Sequence, residues 1–156
     1  MLVVSCSSPP PAPPAAPQTS PQPSSKTAFV VSPERKQASL VEIRALVDKL
    51  NGIIDRRAFD DWLPYLDDAY LNTYSDPQRL KDYSTNSPFL IQYNIKLTSL
   101  LDYFQFVVVP SRAKVTVDDI TFVDENRVEV WTVIDNERFL LYLLKLYGKE
   151  WKISSW

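Results

Sequence analysis

The chain predicts an α+β fold in which amino-terminal helices pack on a curved antiparallel sheet. Three observations carry that expectation. Apolar residues recur at three- and four-residue steps from Leu40 to Ile54, which is the helical period. From Val115 onward they alternate as half-buried strands do, between short turn signals. Helices therefore come first and strands second, without the strand–helix alternation of a parallel sheet.

The first helix is predicted to open at Ser39, because Ser39-Leu40-Val41-Glu42 has the capping-box spacing. Leu40, Ile43, Leu46, Val47, Leu50, Ile53 and Ile54 then form one apolar stripe opposite Glu42, Arg44, Asp48, Lys49, Asn51 and Asp55, so this helix should pack on one side. Asp60 or Asp61 is expected to cap a short second helix through Trp62 and Leu66, with Pro64 tolerated in its first turn. Residues 69–74 read as an extended piece with Tyr70, Asn72 and Tyr74 on one side. Asp76-Pro77 starts a brief helical turn through Leu80, and Ser87-Pro88 repeats that signal. Tyr93, Leu97, Leu100, Leu101 and Phe104 follow at helical spacing, and Val107-Val108-Val109 before Pro110 reads as an extended exit.

The remainder is strand-like. Val115 and Val117 lie in one phase and Ile120 and Phe122 in the other, which predicts a bulge at Asp118-Asp119. Asp124-Glu125-Asn126 make a turn, Val128, Val130, Trp131 and Val133 the next strand, and Asp135-Asn136 a second turn. Residues 139–146 are apolar at nearly every position, as expected of a central strand covered on both faces. Gly148 closes that hairpin, and Trp151, Ile153 and Trp156 finish the sheet.

The first thirty-odd residues have a different composition, with eight prolines from Pro9 to Pro23 among Ala, Ser, Gln and Thr. Such a segment buries too little apolar surface to offset the entropy of ordering, so residues 7–37 are expected to be a disordered tether. Residues 38–156 are expected to form a single domain. Residues 1–6 read as a residual signal: the apolar run Leu2-Val3-Val4, the small Ser5 and then Cys6 resemble the lipobox of bacterial lipoproteins, in which the cysteine is acylated. A signal peptide needs an apolar stretch of roughly 7–15 residues, so the rest of it is expected upstream of Met1. The expected location is the bacterial cell envelope, on the periplasmic or surface side, anchored by lipid at Cys6. No stretch reaches the roughly 18 apolar residues of a spanning helix.

The side-chain inventory narrows the chemistry. The chain contains no histidine and one cysteine, Cys6, which removes a Ser-His-Asp triad, a Cys-His pair, a histidine base and an intrachain disulfide. Calcium needs about six to eight oxygens, and no Asp-x-Asp-x-Asp loop supplies them, so neither a metal nor another cofactor is expected. The net charge of −2 with no long Lys/Arg cluster argues against nucleic acid.

The long capped helix, the segment Phe59-Asp60-Asp61-Trp62 leading to Leu66-Asp67-Asp68, and three closing strands with a bulge and a final tryptophan strand together resemble the nuclear transport factor 2-like superfamily over residues 39–156. A cystatin-like sheet wrapped on one helix is the rival, with fewer helices before the strands. The resemblance implies a cone whose open end serves as a pocket, for isomerisation, dehydration, ligand binding or protein association, and it implies a homodimer formed through the sheet. Fold analogy does not choose among these.

Two readings follow. In the first, a lipid-anchored envelope protein without catalytic activity binds a protein partner or a small apolar ligand, with Tyr70, Tyr74 and Trp131 as pocket aromatics and Arg112 reading an anionic group. In the second, a lyase or isomerase of a small carbonyl compound uses a tyrosine and a carboxylate whose pKa an apolar pocket has raised. Asp102, beside Tyr103 on an otherwise apolar helix, is the carboxylate candidate, with Asp67, Asp68 and Asp118 behind it. The missing acid–base constellation favours the first reading.

Overall fold

Ser32 accepts a hydrogen bond from the Arg35 amide at 3.2 Å and caps the first helix, α1 (Pro33–Asp55), whose opening proline has no amide proton to leave unpaired. The computed structural model describes residues 29–156, so Cys6, residues 1–6 and most of the tether lie outside the described residues. The Ser-Pro start prevails over the capping box predicted at Ser39, which sits buried inside the helix. The first turn of α1 thus falls within the stretch assigned to the tether. The predicted stripe holds: Ile43, Val47, Leu50, Ile53 and Ile54 are all buried.

Helix α2 (Phe59–Trp62) follows Ala58 without a side-chain cap; Asp60 and Asp61 lie in its first turn, where they face the positive end of the helix dipole. A 3-10 turn, Leu63–Tyr65, leads to Asp67, whose carboxylate accepts the Tyr70 amide at 2.8 Å and caps α3 (Asp68–Tyr74). The extended segment predicted at 69–74 is therefore helical. Tyr70, Asn72 and Tyr74 match a period of two, but Tyr70 and Tyr74 also match a helical i, i+4 pair, and their rings lie 4.3 Å apart. Asp76-Pro77 opens α4 (Pro77–Asn86), longer than the predicted turn, and Ser87-Pro88 opens α5 (Pro88–Gln92).

The helix predicted across Tyr93 to Phe104 is interrupted. Asn94 has φ 51°, and the chain re-enters a helix at α6 (Leu100–Tyr103) through a capping box between Ser99 and Asp102. A π turn, Phe104–Val108, and α7 (Val109–Arg112) continue it, so Val107 to Val109 are helical and not an extended exit. Pro110 accounts for the irregularity: it donates no amide proton and its ring crowds the preceding turn, while the Val109 amide reaches back to the Phe104 carbonyl in the wider π register.

Strands β1 (Asp119–Phe122), β2 (Arg127–Ile134), β3 (Glu137–Tyr147) and β4 (Glu150–Ile153) form one antiparallel sheet in chain order. Asp135 and Asn136 take φ of 50° and 66° at the β2–β3 turn, the signature of a tight primed hairpin, and Gly148 at φ 66° turns β3 into β4. The bulge lies elsewhere than predicted. Val130 faces Tyr142 but Trp131 faces Leu140, so Leu141 is the extra residue on β3, while Val115 and Val117 precede the sheet.

The inner face of the sheet carries Ile120, Phe122, Val128, Val130, Tyr142, Leu144 and Ile153, all buried against Trp62, Phe104 and the α1 stripe. β3 is not covered throughout: Phe139 and Leu140 are 45% and 40% exposed. Trp156 lies past the end of β4, with Arg127 over its ring at 5.3 Å. The Asp67 amide donates to the Ile153 carbonyl at 2.9 Å, tying the start of α3 to β4.

Candidate functional site

Five tyrosines from four separate elements converge between the helices and the sheet: Tyr70 and Tyr74 from α3, Tyr83 from α4, Tyr103 from α6 and Tyr142 from β3. They line a cavity of ≈ 260 Å³ whose further walls are Trp62, Arg112 and the β3 segment around Leu141. The four helical tyrosines and Trp62 form a continuous aromatic array. Tyr74 stacks on Tyr103 at 4.7 Å, Tyr83 meets Tyr103 edge-on at 5.3 Å, and Tyr70 meets Trp62 edge-on at 5.8 Å. A larger groove of ≈ 600 Å³, with Phe89, Phe106 and Pro110 among its walls, adjoins the cavity through Tyr83, Val107 and Ser111.

Arg112 reaches the cavity because two backbone irregularities meet there. The π turn sets the direction of α7, and the bulge takes Leu141 out of the β2–β3 register, so that its carbonyl accepts Arg112 Nε at 3.2 Å. Nη1 donates to the Ser111 carbonyl at 3.1 Å, and the guanidinium lies 5.9 Å from the Tyr142 ring centre. Among the described residues no carboxylate pairs with it; the ion pairs there involve Lys36, Arg127 and Arg138.

Burial keeps the phenols protonated. It pushes Tyr142 up to about 12 against the opposing pull of Arg112. Burial also raises Tyr70, helped by neighbouring Tyr74, and Tyr103, helped by neighbouring Tyr70. At neutral pH these groups are hydrogen-bond donors and weak acceptors, not bases. Two donors carried by residues of the cavity wall, Tyr142 Oη and Trp62 Nε1, are themselves buried and have no hydrogen-bond partner among the described residues; Tyr142 is 7% exposed and Trp62 1%.

Of the residues singled out in the sequence, Tyr70, Tyr74 and Arg112 come together here. Trp131 does not: it points to the outer face of the sheet, opposite Asp119 and Leu140, with Arg138 stacked over it at 4.6 Å. Asp102 lies outside the cavity. Its Oδ2 accepts the Thr98 hydroxyl at 2.7 Å, the Thr98 amide at 2.8 Å and the Ser99 amide at 3.0 Å, and these bonds, the Thr98 hydroxyl foremost, hold it below the usual carboxylate range. That is the reverse of the raised value that general-acid work would need.

Asp67 is buried, but its carboxylate serves the Tyr70 amide and, at 3.0 Å, the Tyr147 hydroxyl; Asp118 accepts the Val133 amide at 2.7 Å. Among the described residues no carboxylate lines the cavity, so it holds no tyrosine–carboxylate pair. Tyr83 was missed in the sequence because the helix expected there ended at Leu80, three residues short of it. Tyr142 was visible only as one tyrosine among several.

Over 120 residues, 77% of this chain, the sequence is 37% identical to a protein of Treponema pallidum (strain Nichols) named an uncharacterized lipoprotein. The match spans 61% of that relative's own length. No family model and no solved structure matches the chain.

Proposed function

We propose that this chain is a bacterial envelope lipoprotein, acylated on Cys6 and tethered by the proline-rich segment ahead of α1, whose domain holds a small, mainly apolar ligand in the tyrosine cavity. The lipobox-like Val4-Ser5-Cys6 and the name carried by the Treponema relative support the anchor. Helices followed by a bulged antiparallel sheet, with a cavity between the two layers, support a nuclear transport factor 2-like fold. The observation that carries the binding reading is the cavity itself: an aromatic-walled space, two of whose wall residues carry buried donors left unpaired among the described residues.

Two experiments test the two halves. Expressed from its full upstream reading frame, the protein should gain a lipid-sized mass and fractionate with membranes, and Cys6→Ser should abolish both; an unmodified wild-type product sinks the anchor. Screening small aromatic and aliphatic fragments by NMR should give shifts centred on Tyr70, Tyr103 and Tyr142. No binder, or binders confined to the outer sheet face, would remove the cavity from consideration.

A further inference from the structure

We infer that the cavity takes a small monocarboxylate, its anionic head held by Arg112 and the Tyr142 hydroxyl and its apolar body lying against Trp62 and the tyrosine rings. This rests on the small-ligand reading above and adds to it the chemical class of the ligand.

Arg112 and Trp62 Nε1 can only donate, and the buried phenols hold their protons at neutral pH, so the residues of the cavity wall are rich in donors. Two of those donors, Tyr142 Oη and Trp62 Nε1, are buried and have no partner among the described residues. Buried donors of this kind call for an acceptor, and a ligand that only donates would leave them unpaired. Charge selects among acceptors. Arg112 bonds two backbone carbonyls, which do not neutralise it, and no carboxylate of the described residues pairs with it. A cation is repelled and a neutral amide leaves the guanidinium uncompensated, whereas a carboxylate supplies both acceptors and the opposite charge. One guanidinium matches one negative charge, and a dianionic phosphate would carry excess charge into an aromatic-walled space.

The test uses matched probes that differ at the head group: benzoate with benzamide, phenylacetate with phenylacetamide, naphthoate with naphthamide, and hexanoate with hexanamide, together with inorganic phosphate. Each is titrated by NMR into the full chain carrying Cys6→Ser. At least one acid should bind with shifts at Arg112 and Tyr142, about tenfold or more tighter than its amide, the effect of one charge-assisted hydrogen bond. Arg112→Gln should erase that preference and Arg112→Lys restore part of it. Tyr142→Phe, which leaves the Arg112–Leu141 bond intact, should weaken the acid more than the amide, and this keeps the test decisive if Arg112→Gln fails to fold. Acids and amides binding alike would overturn the carboxylate inference and leave the small-ligand reading standing. Phosphate binding in the cavity more tightly than every acid would overturn the class, and no binding by either series would overturn both readings.

Discussion

Replacing a tyrosine by phenylalanine on β3 should have opposite effects on stability five residues apart. The Tyr142 hydroxyl is buried and has no partner among the described residues, so the folded state bears its desolvation without a compensating bond from them. An unsatisfied buried polar group costs about 1–3 kcal/mol, and deleting one oxygen at the edge of an existing cavity gives up only a few weak contacts. Tyr142→Phe should therefore stabilise the ligand-free protein by about 1 kcal/mol, or about 4 °C in Tm for a domain of this size. Tyr147 makes the contrasting case. Its hydroxyl donates to Asp67 at 3.0 Å, and Asp67 is 4% exposed, so water does not readily replace the lost donor. A hydrogen bond to a charged group is worth about 1.5–3 kcal/mol; because Tyr147 itself is 43% exposed, solvent screening lowers the expected loss to about 1–2 kcal/mol. Urea unfolding, with the slope unchanged between variants, reads both effects. If Tyr142→Phe destabilised the protein by about 1 kcal/mol or more, the hydroxyl would have a partner in the free state and would leave the set of donors offered to a ligand.

Two further predictions concern the same layer. Tyr142 holds its proton from the ordinary value of 10.0 up to about 12 in the folded state, whereas the unfolded chain releases it near 10.0. This group therefore leaves stability independent of pH below 10 and lowers it as pH rises from 10 through 12, at up to about 1.4 kcal/mol per pH unit, and the upward shifts of Tyr70 and Tyr103 act in the same direction. The share of tyrosinate absorbance that Tyr70→Phe, Tyr103→Phe and Tyr142→Phe remove should appear together with the loss of circular dichroism in alkali; its appearance near pH 10 in an intact fold would contradict the burial of these three. Ser99→Ala removes the hydroxyl that accepts the Asp102 amide at 3.1 Å and should cost about 1 kcal/mol in urea, a neutral result showing that the capping box does not hold the start of α6.

Legibility in the sequence followed the length of each pattern. The α1 stripe repeats over several turns, so its buried face was clear, while its start lay between two serine signals that local spacing does not rank. The spacing of Tyr70 and Tyr74 satisfies periods of two and of four at once, and the contact between their rings together with the Asp67 cap decides for the helix. The sheet order was legible because Asp135-Asn136 and Gly148 mark its turns chemically. A phase break between Val117 and Ile120 signalled irregularity near the sheet, yet the bulge belongs to Leu141, inside an unbroken apolar run where no change of phase shows.

The same bulge explains why the candidate site was legible only in part. Tyr70, Tyr74 and Arg112 were found by chemical type, since polar-tipped aromatics and arginine suit a partly wet pocket. Which aromatic of the strands joins them depends on phase, and in a strand one residue of slippage exchanges the two faces. Trp131 lies just past the register shift on the outer face, and Tyr142 lies on the inner face opposite Val130. The cavity is therefore bounded at points where regular structure breaks: the π turn ahead of Pro110 and the extra residue in β3, joined by the Arg112–Leu141 hydrogen bond. A single regular helix and an unbroken ladder would have paired the Leu141 carbonyl within the sheet and turned α7 to another angle, leaving the guanidinium without this seat. Breaks of this kind have no periodic signature, so the residues they bring together are spread over α3, α4, α6, α7 and β3 with no common spacing.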